Sequence, residues 1–297
     1  MANLTRARDE LFRRLPDECF ESLTDLWQHC QREKEQSTDV WKPPQDLCTR
    51  PVATSRLLLA YGEESGAVYE MNDWSFSQLC KLSGVSKDTV NRLTSDTAAR
   101  VFGEMLPHEG NKPFQLYTRG DRPRSIHGAS YTRLFNADLL TVLREFATDF
   151  EAPPKGVGGG TGMYCGEQDM FCFLIDPAGW AEIDGQAFAP GSYTWNSEVG
   201  RRSLGIQTFW FQAVCRNHVI WDAANVSAYY LLFDSSAARF FTRKTQILRA
   251  MLRFSVSVSS GLLDSRSVGR GAGSRGVFGG DRVLRRLPTL PSGRAPF

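Results

Sequence analysis

The chain has 297 residues, 41% of them hydrophobic and 23% charged, the balance of a globular protein with enough mass for a substantial core. No apolar run reaches the length of a membrane span, and the opening MANLTRARDELFRRL is charged where a secretion signal needs an apolar stretch; a cytoplasmic protein with no membrane partner is expected. The formal net charge of +2 is uneven: Ser255 to Phe297 holds seven Arg and two Asp, a balance of +5 that leaves −3 for the rest, so a basic isoelectric point is weak support for nucleic-acid binding by the body.

From Pro16 to about Gln36 the sequence reads as a helix, with Leu23, Leu26, Trp27 and Cys30 on one face. Lys42-Pro43-Pro44 ends it and begins a linker, which sets an N-terminal helical segment over residues 1–45 ahead of one domain over 46–254. Val52 to Tyr61 and Val68 to Met71 read as short strands around a turn at Glu63 to Gly66. A helical pair follows from Ser75 to Leu93, with Ser75 and Gln78 in a capping-box pattern, and then a helix from Ser95 to Met105. Phe114 to Thr118 and Ser125 to His127 are strands joined by the polar turn Arg119-Gly120-Asp121-Arg122. Asn136 is placed to cap a helix whose apolar face is Leu139, Leu140, Leu143 and Phe146.

Pro153 to Gly162 is a flexible connection into a β-rich segment. Met170 to Ile175 is a continuous apolar run, as in a strand covered on both faces. Asp184-Gly185 is a hairpin signal, and Ser192 to Val199 and Ser203 to Val214 are longer strands, although Ile206 to Ala213 also fits a helix. Helical patterning returns from Thr242 to Leu252, and the Gly, Ser and Arg composition of 255–297 predicts a disordered tail. The expected fold class is α+β: a mainly antiparallel sheet with helices packed on one side, N-terminal helices and that tail.

Several groups of residues carry possible chemistry. QLCKLSGVSKDTVNRL, from Gln78 to Leu93, has the spacing of a DNA-binding helix-turn-helix, in which Ser86, Lys87, Asn91 and Arg92 would read a duplex; a plain helical hairpin is the competing reading. Lys112 to Arg133 interleaves Lys112, Arg119, Arg122, Arg124 and Arg133 with Tyr117 and Tyr131, offering cations for phosphates and rings for bases; a solvated hairpin with its aromatics inward competes. Glu167 and Asp169, two apart, would share a strand face and hold a metal for a nuclease, with Asp176 and Glu198 as companions. Alternatively, Asp176 only starts a turn and Glu198 pairs with Arg201 or Arg202. Cys165, Cys172, Cys215 and His218 lack the tight first pair of a structural zinc site and are expected to be reduced thiols, so no metal is assigned. The glycines of GVGGGTG have the wrong spacing for a dinucleotide site, and no P-loop or nucleophile elbow occurs, so no cofactor is expected.

The segments LTSDTAARVFGEMLP, RSIHGASYTRLFNADLL, YCGEQDMFCFLIDP and NSEVGRRSLGIQTFWFQAVCRNHVIWDA resemble the domain-of-unknown-function family numbered 932, which comprises phage- and plasmid-like bacterial proteins. The resemblance covers about Asp73 to Ala223 and is carried most by Asn196, Ser197, Glu198, Gly200, Cys215 and Asn217. It implies a bacterial protein of mobile elements and supplies no catalytic residues. After Ala223 the pattern departs: ANVSAYYLLFDSSAARF precedes a weak resumption at Phe241-Thr242-Arg243-Lys244, and the tail reads as a degenerate or frame-shifted terminus. The leading functional expectation is a non-enzymatic accessory factor of mobile-element DNA metabolism that binds single-stranded DNA. A duplex-reading regulator and a metal-dependent nuclease are the alternatives.

Overall fold

The computed structural model describes residues 16–52, 56–61, 68–107, 109, 112–154, 161–183, 186–214, 217–221 and 229–231. Its helices are α1 (Leu23–Glu35), α2 (Asp73–Leu82), α3 (Lys87–Val90), α4 (Ser95–Met105) and α5 (Asn136–Phe146). Its strands are β1 (Ser37–Lys42), β2 (Leu47–Val52), β3 (Arg56–Tyr61), β4 (Val68–Tyr69), β5 (Phe114–Arg119), β6 (Arg122–Gly128), β7 (Met163–Cys165), β8 (Met170–Ile175), β9 (Ala181–Ile183), β10 (Gln186–Asn196), β11 (Leu204–Val214), β12 (Asn217–Trp221) and β13 (Tyr229–Leu231). The fold is α+β, and every strand pairing is antiparallel. The sequence-predicted helix over 242–252, the Asp184-Gly185 turn and the C-terminal tail lie outside the described residues.

The largest sheet runs β12-β11-β10-β8-β7, with β9 added to β10 and β13 to β11. Alternation along β8 divides its side chains: Met170, Cys172 and Leu174 face α1 and α5, while Phe171, Phe173 and Ile175 join an aromatic layer with Tyr193, Trp195, Phe209 and Phe211. Both faces of β8 are covered, which is why its sequence is apolar without interruption. Leu26 and Cys30 of α1 meet Leu139, Leu140 and Leu143 of α5 against the helix-facing side. Truncating any one of those leucines removes about 2–5 kcal/mol. Ile206 to Ala213 is strand throughout, because β10 pairs with it from Phe188↔Gln212 to Trp195↔Gly205.

Two smaller sheets, β1-β5-β6 and β2-β3-β4, share a second core with α2 and α4, built on Leu59, Leu79, Phe102, Leu116 and Ile126. Here the structure corrects the expected linker. Residues Ser37–Lys42 form β1, paired from Ser37↔Arg119 to Lys42↔Phe114, so the N-terminal segment is an integral part of the packed body. The helix ends at Glu35, one residue before the expected Gln36, and the β-branched and aromatic residues of STDVWK then pair with the open edge of β5. Two cap assignments also shift. Asn72, not Ser75, caps α2 by accepting the Ser75 amide at 2.8 Å. Phe135 occupies the cap position of α5 without a side-chain bond, and Asn136 is the first helical residue.

Candidate functional site: a buried carboxylate hub and a thiol-lined cleft

The turn between β10 and β11 inserts a carboxylate into the protein interior. Glu198 Oε1 accepts the Asn136 amide in the first turn of α5 at 2.7 Å, where the helix dipole favours negative charge. Its Oε2 accepts the Tyr117 hydroxyl at 2.9 Å and Arg124 Nη1 at 3.2 Å. The Glu198 carbonyl accepts from the Tyr131 hydroxyl at 3.1 Å and from Arg133 Nη1. Arg133 also pairs with Asp39 at 2.8 Å and lies 3.6 Å from the centroid of the Tyr117 ring.

Neighbouring residues hold this turn in place. Asn196 Nδ2 donates to the Leu134 carbonyl at 2.9 Å and to Asn136 Oδ1 at 2.8 Å. Ser197 Oγ donates to the Gln168 carbonyl at 2.6 Å and accepts the Arg201 amide at 2.9 Å. Gly200 has φ +73°, and a Cβ there would lie 2.7 Å from His127 Cε1. The His127 ring stacks on Tyr131 with centroids 3.6 Å apart. Burial and the nearby Arg133 charge push the His127 pKa down to about 4, and burial pushes Tyr131 up to about 12.

This hub reassigns part of the expected nucleic-acid surface. Tyr117 is 0% exposed and Arg124 and Arg133 are each 9% exposed, so none of the three forms part of an open nucleic-acid surface. The physical reason is the buried turn: the Glu198 carboxylate needs a cation and a donor, which Arg124 and Tyr117 supply, and Arg133 is taken up by Asp39 and the Glu198 carbonyl. Tyr131 is half-buried against His127, while Lys112, Arg119 and Arg122 are exposed. Arg119 Nη1 lies 2.6 Å from the Glu33 carboxylate.

The carboxylates expected to act together are separated. Asp169 is 2% exposed and pairs with Arg202 Nε at 3.0 Å, whereas Glu167 is exposed in the β7–β8 turn. Asp176 accepts the Ala178 amide at 2.9 Å and serves its turn. Glu198 pairs with Arg124, not with Arg201 or Arg202. Among the described residues, no group of three or more His, Cys, Asp and Glu side chains is arranged to hold a metal.

The helix-turn-helix spacing yields a short hairpin. Gly84 makes the turn at φ +66° and Ser86 caps α3, but α3 has only four residues and Asn91 already closes it. A recognition helix needs several turns to lie along a groove. Lys87 pairs with Asp73, and Arg92 is exposed. Val90 and Leu79 pack with Leu116 and Ile126, so the hairpin belongs to the domain core.

A cleft of about 970 Å³ opens beside the hub, within the range of small-molecule sites. Arg119, Arg122 and Arg124 line it together with Asp17, Glu18, Glu33, Glu70, Asp121 and Glu167, a formal excess of three negative charges. His29 and Cys165 complete the lining that matters chemically. Cys165 is 7% exposed, and Cys30 Sγ donates to its Sγ across 3.8 Å. Asn136 Nδ2 lies 3.9 Å from the same sulfur, and His29 lines the cleft with it. The Cys30 bond pulls the Cys165 thiol below its ordinary value, burial opposes this, and the nearby His29 adds to it. Cys30 is pushed up by the same bond and by burial, and His29 is raised by the nearby Cys165.

This constellation was not visible in the sequence, because Cys30 and Cys165 are separated by 135 positions. The adjacent His29-Cys30 pair on the inner face of an amphipathic helix was the available signal. Cys172, weighed alongside Cys165, sits on a different strand, where burial alone raises its thiol pKa. Cys215 lies outside the described residues, and His218 lies in β12. No helix among the described residues is long and apolar enough to cross a membrane. Comparison with protein-family models, curated proteins and solved structures gives no match to this chain.

Proposed function

We propose that the cleft binds a small polar molecule and acts on it through the Cys165 thiolate, with His29 carrying the proton. The observation that supports this reading is Cys165 on the cleft wall in company with His29, its sulfur bonded to that of Cys30 at 3.8 Å. A nucleophilic thiol needs a means of staying deprotonated and a route to its substrate, and this position supplies both. The mixed carboxylate and guanidinium walls suit a ligand that carries both amino and acidic groups. Such chemistry belongs in a reducing compartment, the cytoplasm.

Alkylation of the full chain by iodoacetamide across about pH 5 to 9, mapped by peptide mass spectrometry, tests it. Cys165 is expected to react ahead of the partly exposed Cys19 and Cys48, with a midpoint below that of an ordinary thiol. The groups that set that midpoint are Cys30, His29 and Glu33 from α1, Glu198 from the β10–β11 turn and Arg124 from β6. His29→Gln should move the midpoint upward. A Cys165 rate no greater than that of Cys48, or an ordinary thiol midpoint of about 8.5, defeats the proposal.

A second reading keeps single-stranded DNA as a partner of a mobile-element accessory factor. Its support is the exposure of Lys112, Arg119 and Arg122 on and beside one hairpin.

A further inference from the structure

The cleft holds a second sulfur directly behind the first. Cys30 comes from the inner face of α1 and Cys165 from the end of β7, and both belong to the core that α1 and α5 form on the large sheet. Their sulfurs are 3.8 Å apart, in contact, and a disulfide would bring them to about 2.05 Å. Cys30 is 1% exposed and does not line the cleft, so an incoming molecule meets Cys165 first. His29, the neighbour of Cys30, lines the cleft beside Cys165.

We propose that Cys165 and Cys30 form a dithiol–disulfide couple whose substrate class is a low-molecular-weight disulfide bearing amino and carboxylate groups. This inference rests on the reading of Cys165 as the nucleophile and adds the resolving thiol and the substrate class.

The reaction balances with the disulfide as the oxidant. The Cys165 thiolate attacks one sulfur of the substrate, the substrate S–S bond breaks, and a mixed disulfide forms on Cys165. The departing thiolate takes the proton held on His29 and leaves as a thiol. Cys30 then gives its proton to the neutral His29 and attacks the Cys165 sulfur. The Cys30–Cys165 bond forms as the mixed disulfide breaks, and the second thiolate leaves with that proton. Two electrons pass from the protein dithiol to the substrate, and two thiols are released for each disulfide consumed. Cys30 keeps its proton in the resting state because the neighbouring Cys165 thiolate and its own burial both oppose ionisation. Only after Cys165 is capped does the obstacle from that charge disappear. The walls carry charges of both signs: Arg122 is a cation available to the carboxylates, and Asp121 and Glu167, among six acidic residues, are anions available to the amino groups.

The test uses the reduced full-length protein and oxidised glutathione, followed by alkylation and non-reducing peptide mapping. The expected product is a Cys30–Cys165 linked peptide, with two glutathione thiols released per chain. Cys30→Ser should halt the reaction at a glutathione adduct on Cys165, and Cys165→Ser should abolish both adduct and link. A wild-type protein that accumulates the Cys165 adduct with no Cys30 link overturns the resolving role while leaving Cys165 as a nucleophile. Absence of both a Cys165 adduct and a Cys30–Cys165 link, with Cys165 still selectively alkylated, overturns the substrate class alone. Absence of both adduct and selective alkylation overturns this inference and the reading beneath it. Because the first two measurements use the wild-type chain, a variant that fails to fold does not remove the test.

Discussion

The Tyr117 hydroxyl donates to the Glu198 carboxylate at 2.9 Å, joining the middle of β5 to the turn between β10 and β11 across 81 positions of sequence. Both side chains are buried, and the bond belongs to a network that also uses Arg124 and the first amide of α5. Burial and the adjacent carboxylate raise the Tyr117 pKa, so the phenol stays protonated and remains a donor. The hub therefore connects the small β1-β5-β6 sheet to the large sheet through charge-assisted bonds.

Removing its centre should be costly. Glu198→Ala leaves Arg124 buried without its main anion and is expected to destabilise the fold by about 3–5 kcal/mol. Glu198→Gln should cost less, since an amide oxygen still accepts the Asn136 amide. Tyr117→Phe should cost about 1–3 kcal/mol. Urea unfolding at neutral pH measures all three, and a near-zero effect of Glu198→Ala contradicts the hub.

Gly200 and Gly84 have similar backbone angles, φ +73° and +66°, yet only Gly200 faces a neighbour. Alanine at either position carries a left-handed strain of about 1–2 kcal/mol. At Gly200 the new methyl also displaces the His127 ring, adding about 1–3 kcal/mol. Gly200→Ala should thus lower the urea midpoint distinctly more than Gly84→Ala.

His127 makes stability depend on pH. Its folded pKa of about 4 lies below the unfolded value of about 6.5, so between these values the unfolded chain binds more protons. Stability from this group is complete above pH ~6.5, falls as the pH drops toward ~4, and is capped at about 3 kcal/mol. His127→Gln should flatten that part of the pH–stability curve relative to wild type. Parallel curves for the two proteins contradict the assignment.

If single-stranded DNA is a partner, Lys112, Arg119 and Arg122 are the accessible cations of the hairpin region. Replacing all three by Ala should weaken oligothymidylate binding and reduce the salt slope by about 2. An unchanged slope assigns any affinity to other residues, including the arginine-rich C-terminal stretch. Arg133→Ala should instead appear as lost stability, because Arg133 is enclosed by Tyr117, Asp39 and the Glu198 carbonyl.

Local chemistry was readable from the residues. The hairpin at Arg119 to Arg122, the helix over Ser95–Met105 and the doubly covered strand Met170–Ile175 all follow from turn residues and apolar periodicity. Each is decided by neighbours a few positions away, which is the range over which a sequence pattern is informative. The β1 strand was not readable, because the edge that recruits it lies in β5, and the Pro43-Pro44 pair signals only where pairing stops.

The sequence alone determined the α+β class, the antiparallel strands and the presence of an arginine- and tyrosine-rich segment. Only the tertiary structure decided which of those arginines face solvent. Composition treats Arg119, Arg124 and Arg133 alike, yet Arg119 lies at a hairpin tip, Arg124 neutralises the buried Glu198 carboxylate, and Arg133 is held between Asp39 and the Glu198 carbonyl. The thiol site was beyond the sequence for the same reason. The ionisation of Cys165 is set by Cys30 and His29 from a helix 135 positions earlier, and that proximity exists only once α1 has packed against β7.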